Sequence, residues 1–174
     1  MAKKTFVLLW TGNGGGKTTN ALGLALRAAG HGMKTIFVQF MKGRKSIGEY
    51  KAQKFFKGLF KVKQFGSPHF MNLLKPSDAD KARAQKGMDY AFKALDAEKP
   101  DFLVLDEVNI AAAIGLVDKG EVLRLIKKAK GKCTGVVLTG RNAPKEFIDS
   151  ADYATSIGSM FRPMPPQAVK GIEY

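Results

Sequence analysis

A doubly wound α/β domain, with a mostly parallel sheet flanked by helices, is what this sequence predicts. Short apolar runs alternate with stretches of helical periodicity, the pattern of strands buried on both faces and joined by helices. The first run also passes through a glycine-rich turn directly into a helix. The 174 residues are close to one domain at roughly 150 residues each, so residues 1–174 read as a single unit. An apolar content of 45% with 25% charged residues is globular rather than disordered. The longest uncharged stretch, residues 5–16, ends in glycines and is too short to span a bilayer. The basic, apolar start imitates a signal peptide but meets glycines and Lys17 without a small-residue cleavage site. One cysteine, Cys133, leaves no intramolecular disulfide, and with two histidines it makes no Cys/His zinc set. A cytoplasmic, reducing compartment fits this usage.

The elements follow in order. Residues 5–10 read as a buried strand, and residues 17–30 as a helix with Leu22, Ala25, Leu26 and Ala29 on its inner face. Residues 35–40 form a β-branched and aromatic strand, residues 46–56 a helix, and residues 61–65 a short strand. Pro76-Ser77 opens a helix over 78–95, with Ser77 as N-cap and Ala84, Met88, Ala91 and Leu95 recurring at helical spacing. A strand at 102–105, helices at 107–114 and 121–130, and a strand at 133–138 come next. Pro144 starts another helix, and residues 153–157 are the last strand.

Twenty-nine basic against 15 acidic residues give a net charge of +14. Polyanionic partners suit that balance, and so does a lysine-rich solvated surface; charge alone does not choose. Lys51, Lys54, Lys57 and Lys61 recur among Phe55, Phe56, Leu59 and Phe60, as on an amphipathic helix with one packed and one solvated face. The same segment suits docking of an acidic electron donor or of nucleic acid, although no nucleic-acid motif accompanies it.

Chemistry concentrates in residues 11–19, Thr-Gly-Asn-Gly-Gly-Gly-Lys-Thr-Thr. Gly12, Asn13, Gly14, Gly15 and Gly16 let backbone N–H groups turn inward around a phosphate, and the helix N-terminus adds its positive dipole. Lys17 supplies a fixed cation, and the Thr18 hydroxyl can bind Mg²⁺. This is a Walker A loop with Thr11 in the first glycine slot. The run 102–105 then delivers Asp106-Glu107 like a Walker B strand, at the carboxyl edge where open α/β sheets bind ligands. These acids orient Mg²⁺, or they simply favour a helix N-terminus.

Further motifs sharpen the reading. They are Gly30-His31-Gly32, Val38-Gln39-Phe40-Met41-Lys42-Gly43, Gly48-Glu49 and Leu105-Asp106-Glu107-Val108-Asn109, then Leu138-Thr139-Gly140-Arg141-Asn142-Ala143-Pro144 and the terminal Gly171-Ile172-Glu173-Tyr174. Together with the loop, they resemble the P-loop type of ATP:corrinoid adenosyltransferase along the whole chain. The resemblance implies a P-loop NTPase-like, RecA-like fold. It implies transfer of the 5′-deoxyadenosyl group of ATP to the cobalt of a Co(I) corrinoid, with release of tripolyphosphate. ATP and the corrinoid would be substrates, Mg²⁺ a cofactor, and flavodoxin or reduced flavin the electron donor to a homodimer.

By the same resemblance Lys17, Glu107 and Phe70 are catalytic, and Thr18, Asp106 and Glu107 hold the metal. The loop from Gly12 to Thr19, including Thr19 itself, surrounds the triphosphate. Gln39, Lys42, Glu49, Asn109 and Arg141 lie around nucleotide and corrinoid. Phe70 belongs to an apolar stretch, residues 65–74, that faces the corrinoid. Two positions depart from the family: Gly15 replaces a common lysine, and Asn72 replaces the tryptophan paired with Phe70. Two other classes suit the P-loop: a nucleic-acid-stimulated ATPase, and a nucleotide-binding module without catalysis.

Overall fold

The computed structural model describes residues 4–69, 71–160 and 169–172. Its framework is one six-stranded, all-parallel sheet in the order β3-β2-β4-β5-β1-β6. The strands are β1 (Phe6–Thr11), β2 (Thr35–Phe40), β3 (Phe60–Phe65), β4 (Phe102–Asp106), β5 (Gly135–Thr139) and β6 (Tyr153–Ser156). Between them run α1 (Lys17–Gly30), α2 (Gly48–Ala52), α3 (Asp78–Ala97), α4 (Val108–Ala113), α5 (Lys119–Ala129) and α6 (Lys145–Ser150).

Successive strand residues point to opposite faces, and both faces are covered. On one side Ile36, Val38 and Phe40, Leu103 and Leu105, and Val136 and Leu138 pack under α3, α4, α5 and α6. On the other, Phe37, Val104 and Val137 meet Ala21 and Ala25 of α1. This is why the central strands are apolar throughout.

α3 begins where expected. Ser77 Oγ accepts from Asp80 N–H, and the Asp80 carboxylate accepts from Ser77 N–H in return, closing a capping box. Its buried face carries Ala84, Met88, Ala91 and Leu95, joined by Gly87 and Ala94.

Two helical expectations are corrected. The inner face of α1 is Ala21, Ala25 and Ala28, while Leu26 is 62% exposed. Small side chains make its fully buried part, where α1 lies on the strands; Ala25 is there as expected, and Leu22 packs half-buried against the same cluster. Nor is 51–61 one amphipathic helix. α2 stops at Ala52, a single 3₁₀ turn follows at Gln53–Phe55, and Lys57 (φ 46) turns the chain into β3. Phe60 and Val62 are claimed by the sheet beside Phe37, which breaks the helical period.

At the opposite end of the sheet from the glycine loop, Glu98 accepts from Lys61 Nζ (2.6 Å) and Tyr90 Oη (2.6 Å), with Lys34 Nζ at 3.6 Å. Partial burial acts to raise the Glu98 pKa, but these partners outweigh it and hold the carboxyl below its ordinary range. A depressed acid stabilises the fold above its unfolded pKa and stops doing so as pH falls through the folded value. Glu98→Gln should therefore cost about 1 kcal/mol at pH 7, allowing for solvent screening. Urea melts should show this difference shrinking as pH falls below about 4. A difference that persists unchanged in acid would mean the charge contributes nothing.

Candidate functional site

The polar side chains gather at the carboxyl ends of the strands, and the register explains how. Gln39 stands opposite both Gln64 and Asp106, and Leu105 opposite Leu138, so Thr139 neighbours Asp106. Thr139, Asp106, Gln39 and Gln64 thus make a polar row across β5, β4, β2 and β3, on the face that carries α1. Gln64 Nε2 donates to Gln39 Oε1 (3.0 Å), and Gln39 Nε2 donates to Asp106 Oδ2 (3.1 Å) and Glu49 Oε1 (3.2 Å).

Asp106, fully buried, is the hub. Its Oδ1 accepts from Thr139 Oγ1 (2.6 Å) and Thr18 Oγ1 (2.9 Å), and its Oδ2 also accepts from Lys42 Nζ (2.7 Å). Burial alone would favour the neutral acid; the Lys42 charge and the hydroxyl donors overcome it and keep Asp106 ionised. The same ion pair raises the Lys42 pKa against the desolvation that would lower it. Glu107 moves the other way, pushed up by burial and by the neighbouring Asp106 charge, against Lys42, Lys17 and Arg141.

Glu107 sits at φ 64, an uncommon left-handed conformation for a non-glycine residue. α4 therefore begins one residue later than expected, at Val108. The strained turn is held by Glu107 N–H donating to Thr139 Oγ1 (3.0 Å).

The loop 12–16 joins β1 to α1, and no side chain caps the helix at Gly16. Its first-turn N–H groups thus keep the donor geometry suited to an anion. Lys17, 7% exposed, folds back so that Nζ donates to Gly14 O (2.6 Å). Burial lowers the Lys17 pKa, opposed by the Glu107 charge and assisted by Arg141.

One expectation about the loop needs correction. Gly14 N–H does not turn inward; it donates to Ile157 O (2.8 Å), just beyond β6. Only glycine fits there, since a Cβ would stand 2.6 Å from Gly158 O. Asn13, Gly15, Gly16 and Thr19 are exposed around it.

The structure brings Lys17, Thr18, Gln39, Lys42, Glu49, Asp106 and Glu107 together, with Arg141 exposed nearby and close enough to act on Lys17 and Glu107. Asn109 lies behind them. It is fully buried, and its amide donates to Trp10 O (3.2 Å) and Gly140 O (3.1 Å), tying β1 to the turn after β5. Phe70 lies outside the described residues. Around it, Phe65 and Met71 are half-buried against the core, while Leu74 is 97% exposed.

The donors suit Mg²⁺. Thr18, Asp106 and Glu107 offer hard oxygens from one hydroxyl and two carboxylates, and Mg²⁺ typically completes such a set with phosphates and water. Among the described residues no cluster of three or more His, Cys, Asp or Glu side chains could hold a metal by itself.

The family model described as ATP:corrinoid adenosyltransferase BtuR/CobO/CobP matches residues 3–174. The chain belongs to this family of corrinoid adenosyltransferases. A corrinoid adenosyltransferase of a Sinorhizobium species is 33% identical over 99% of this chain and 81% of its own length. One from Pseudomonas aeruginosa is 34% identical over 97% and 83%, and one from Escherichia coli 30% over 89% and 77%. The fold is that of the RecA-like P-loop proteins. The crystal structure of a KaiC-like protein from Pyrococcus horikoshii superposes with a TM-score of 0.61 over 92% of this chain and 75% of that one, at 17% identity. In this adenosyltransferase, β5 separates the loop strand β1 from the carboxylate strand β4, which is what lets Thr139 Oγ1 donate to Asp106 and accept from Glu107 N–H. Sequence reading missed Thr139 and Gln64 as site residues. For Thr139 the available signal was an apolar run that ends on a polar residue at the strand's carboxyl end; Gln64, in the mixed run of β3, had none.

Proposed function

We propose that this adenosyltransferase binds ATP with its triphosphate on the 12–19 loop and presents C5′ to the cobalt of a reduced corrinoid. The observation that carries the reading is the joining of the loop to the buried Asp106 hub through Thr18 Oγ1 at 2.9 Å. In the reaction, Co(I) supplies an electron pair to C5′, the C5′–O5′ bond breaks, and its pair leaves on the triphosphate oxygen. Negative charge therefore grows on the leaving group. Lys17, the uncapped first turn of α1 and Arg141 are placed to stabilise it as fixed charges and dipoles. Thr18, Asp106 and Glu107 would hold Mg²⁺, which supplies further charge neutralisation when bound. Gln39 and Glu49 keep the hub in register, and Asn109 fixes the strand ends beneath the loop.

The corrinoid is assigned to the side of the 65–74 segment, in the connection after β3, where Leu73 and Leu74 expose apolar surface. The lysine-rich exterior suits an acidic donor such as flavodoxin, the family's homodimer is the expected assembly, and the enzyme acts in the cytoplasm. No helix among the described residues is long and apolar enough to cross a membrane.

Anaerobic reaction of ATP with chemically reduced cobalamin, followed by phosphorus NMR, tests the function. Tripolyphosphate should be the first phosphate product, because attack at carbon leaves the phosphate chain whole. ADP and orthophosphate instead, more so with added nucleic acid, would sink the proposal in favour of an ATPase.

A further inference from the structure

Lys42 Nζ lies 2.7 Å from Asp106 Oδ2 and 3.1 Å from Thr18 Oγ1, between two of the oxygens assigned to the metal. Its delivery is built into the backbone. Met41, one residue past β2, has φ 59 and bends the chain as it leaves the sheet. Gly66, one residue past β3, packs backbone against backbone there; a Cβ would stand 2.5 Å from Met41 O. Gln39, the β2 register partner of Asp106, donates to the same carboxylate oxygen.

We propose that Lys42 is an internal counter-cation: it fills the divalent-metal position and is displaced when the metal arrives with the nucleotide. This rests on the reading of Thr18 and Asp106 as metal donors. A divalent ion bonded to Thr18 Oγ1 at about 2.1 Å would stand no more than about 5 Å from Nζ, given the 3.1 Å contact. Two cations that close in an enclosed site repel strongly. Metal alone must evict the ammonium with nothing to receive it. Metal with ATP brings phosphate oxygens that accept the Lys42 N–H groups, so ion and nucleotide enter together. Without any cation, the buried Asp106 would keep its charge uncompensated. Lys42 thus preserves the donor pair between turnovers and excludes free metal from it.

The test is Mn²⁺ binding to nucleotide-free protein, read by electron paramagnetic resonance, with thermal melts in chelator and in Mn²⁺. Lys42→Met should bind Mn²⁺ roughly tenfold or more tightly than wild type, and its melting temperature should rise with Mn²⁺ while wild type is unmoved. Lys42→Arg, which keeps the charge, should behave as wild type. The gain should vanish in Lys42→Met combined with Asp106→Asn. If Lys42→Met binds Mn²⁺ no better and melts independently of it, the placeholder is wrong. A gain that survives loss of the Asp106 charge puts the ion elsewhere and also overturns it. A separate arm measures Mn²⁺ with a non-hydrolysable ATP analogue on Asp106→Asn alone. Wild-type affinity there would remove the metal-donor reading, and the placeholder with it; weakened affinity beside an unimproved Lys42→Met would remove the placeholder only.

Discussion

Lys17→Ala should lower kcat/KM for adenosyl transfer by about 10²–10³-fold, the usual loss when one fixed donor to a developing anion is removed. ATP binding should weaken as well, measurable by calorimetry on the nucleotide alone. Stability should change little. The buried ammonium makes one short bond to Gly14 O and is disfavoured as a cation by desolvation, so its removal relieves a cost while losing a contact. The split matters more than the size. A variant that melts like wild type yet fails with ATP places Lys17 at the phosphates. Near-normal turnover would take the loop out of the mechanism.

Asp106→Ala should have the largest effect on the fold itself. Breaking a buried ion pair typically costs about 3–5 kcal/mol, and here Thr139, Thr18 and Gln39 lose an acceptor at the same time. For a domain of this size that corresponds to a fall in melting temperature of about 10 °C. Asp106→Asn keeps the shape and one acceptor, and should recover part of the stability but little of the activity. If Asp106→Ala melts within about 1 °C of wild type, less than the shift expected for 1 kcal/mol, the hub carries no structural weight.

Much of this was legible in the sequence. The apolar runs, the glycine loop and Asp106-Glu107 follow local rules: double-sided burial removes polar residues from a strand, and a phosphate loop needs glycine and lysine in fixed order. Gln39 and Lys42 were picked out by their motif, but only register shows that Gln39 faces Asp106 and Gln64 together. Thr139 was hidden because its role depends on β5 lying between β1 and β4, a matter of strand order. The diversion of Gly14 N–H to Ile157 O joins residues far apart in the chain, beyond any local pattern. The inner face of α1 was misjudged at Leu26 because hydrophobicity favours leucine, whereas the fully buried positions on the sheet are alanines.

The strand order also governs when the enzyme becomes competent during its own synthesis. β1 emerges from the ribosome first, yet its neighbours are the last two strands made: Phe6 pairs with Gly135, and Leu8 with Tyr153. β2, β3 and β4 can pair with one another while β1 waits, its apolar residues uncovered. At roughly 5–20 residues per second that wait lasts several seconds or more. The phosphate loop hangs from the waiting strand, and Gly14 is pinned only once Ile157 exists. A nascent chain halted before β5 should therefore not be rescued by ATP, since the nucleotide's cradle is among the last parts of the molecule to form.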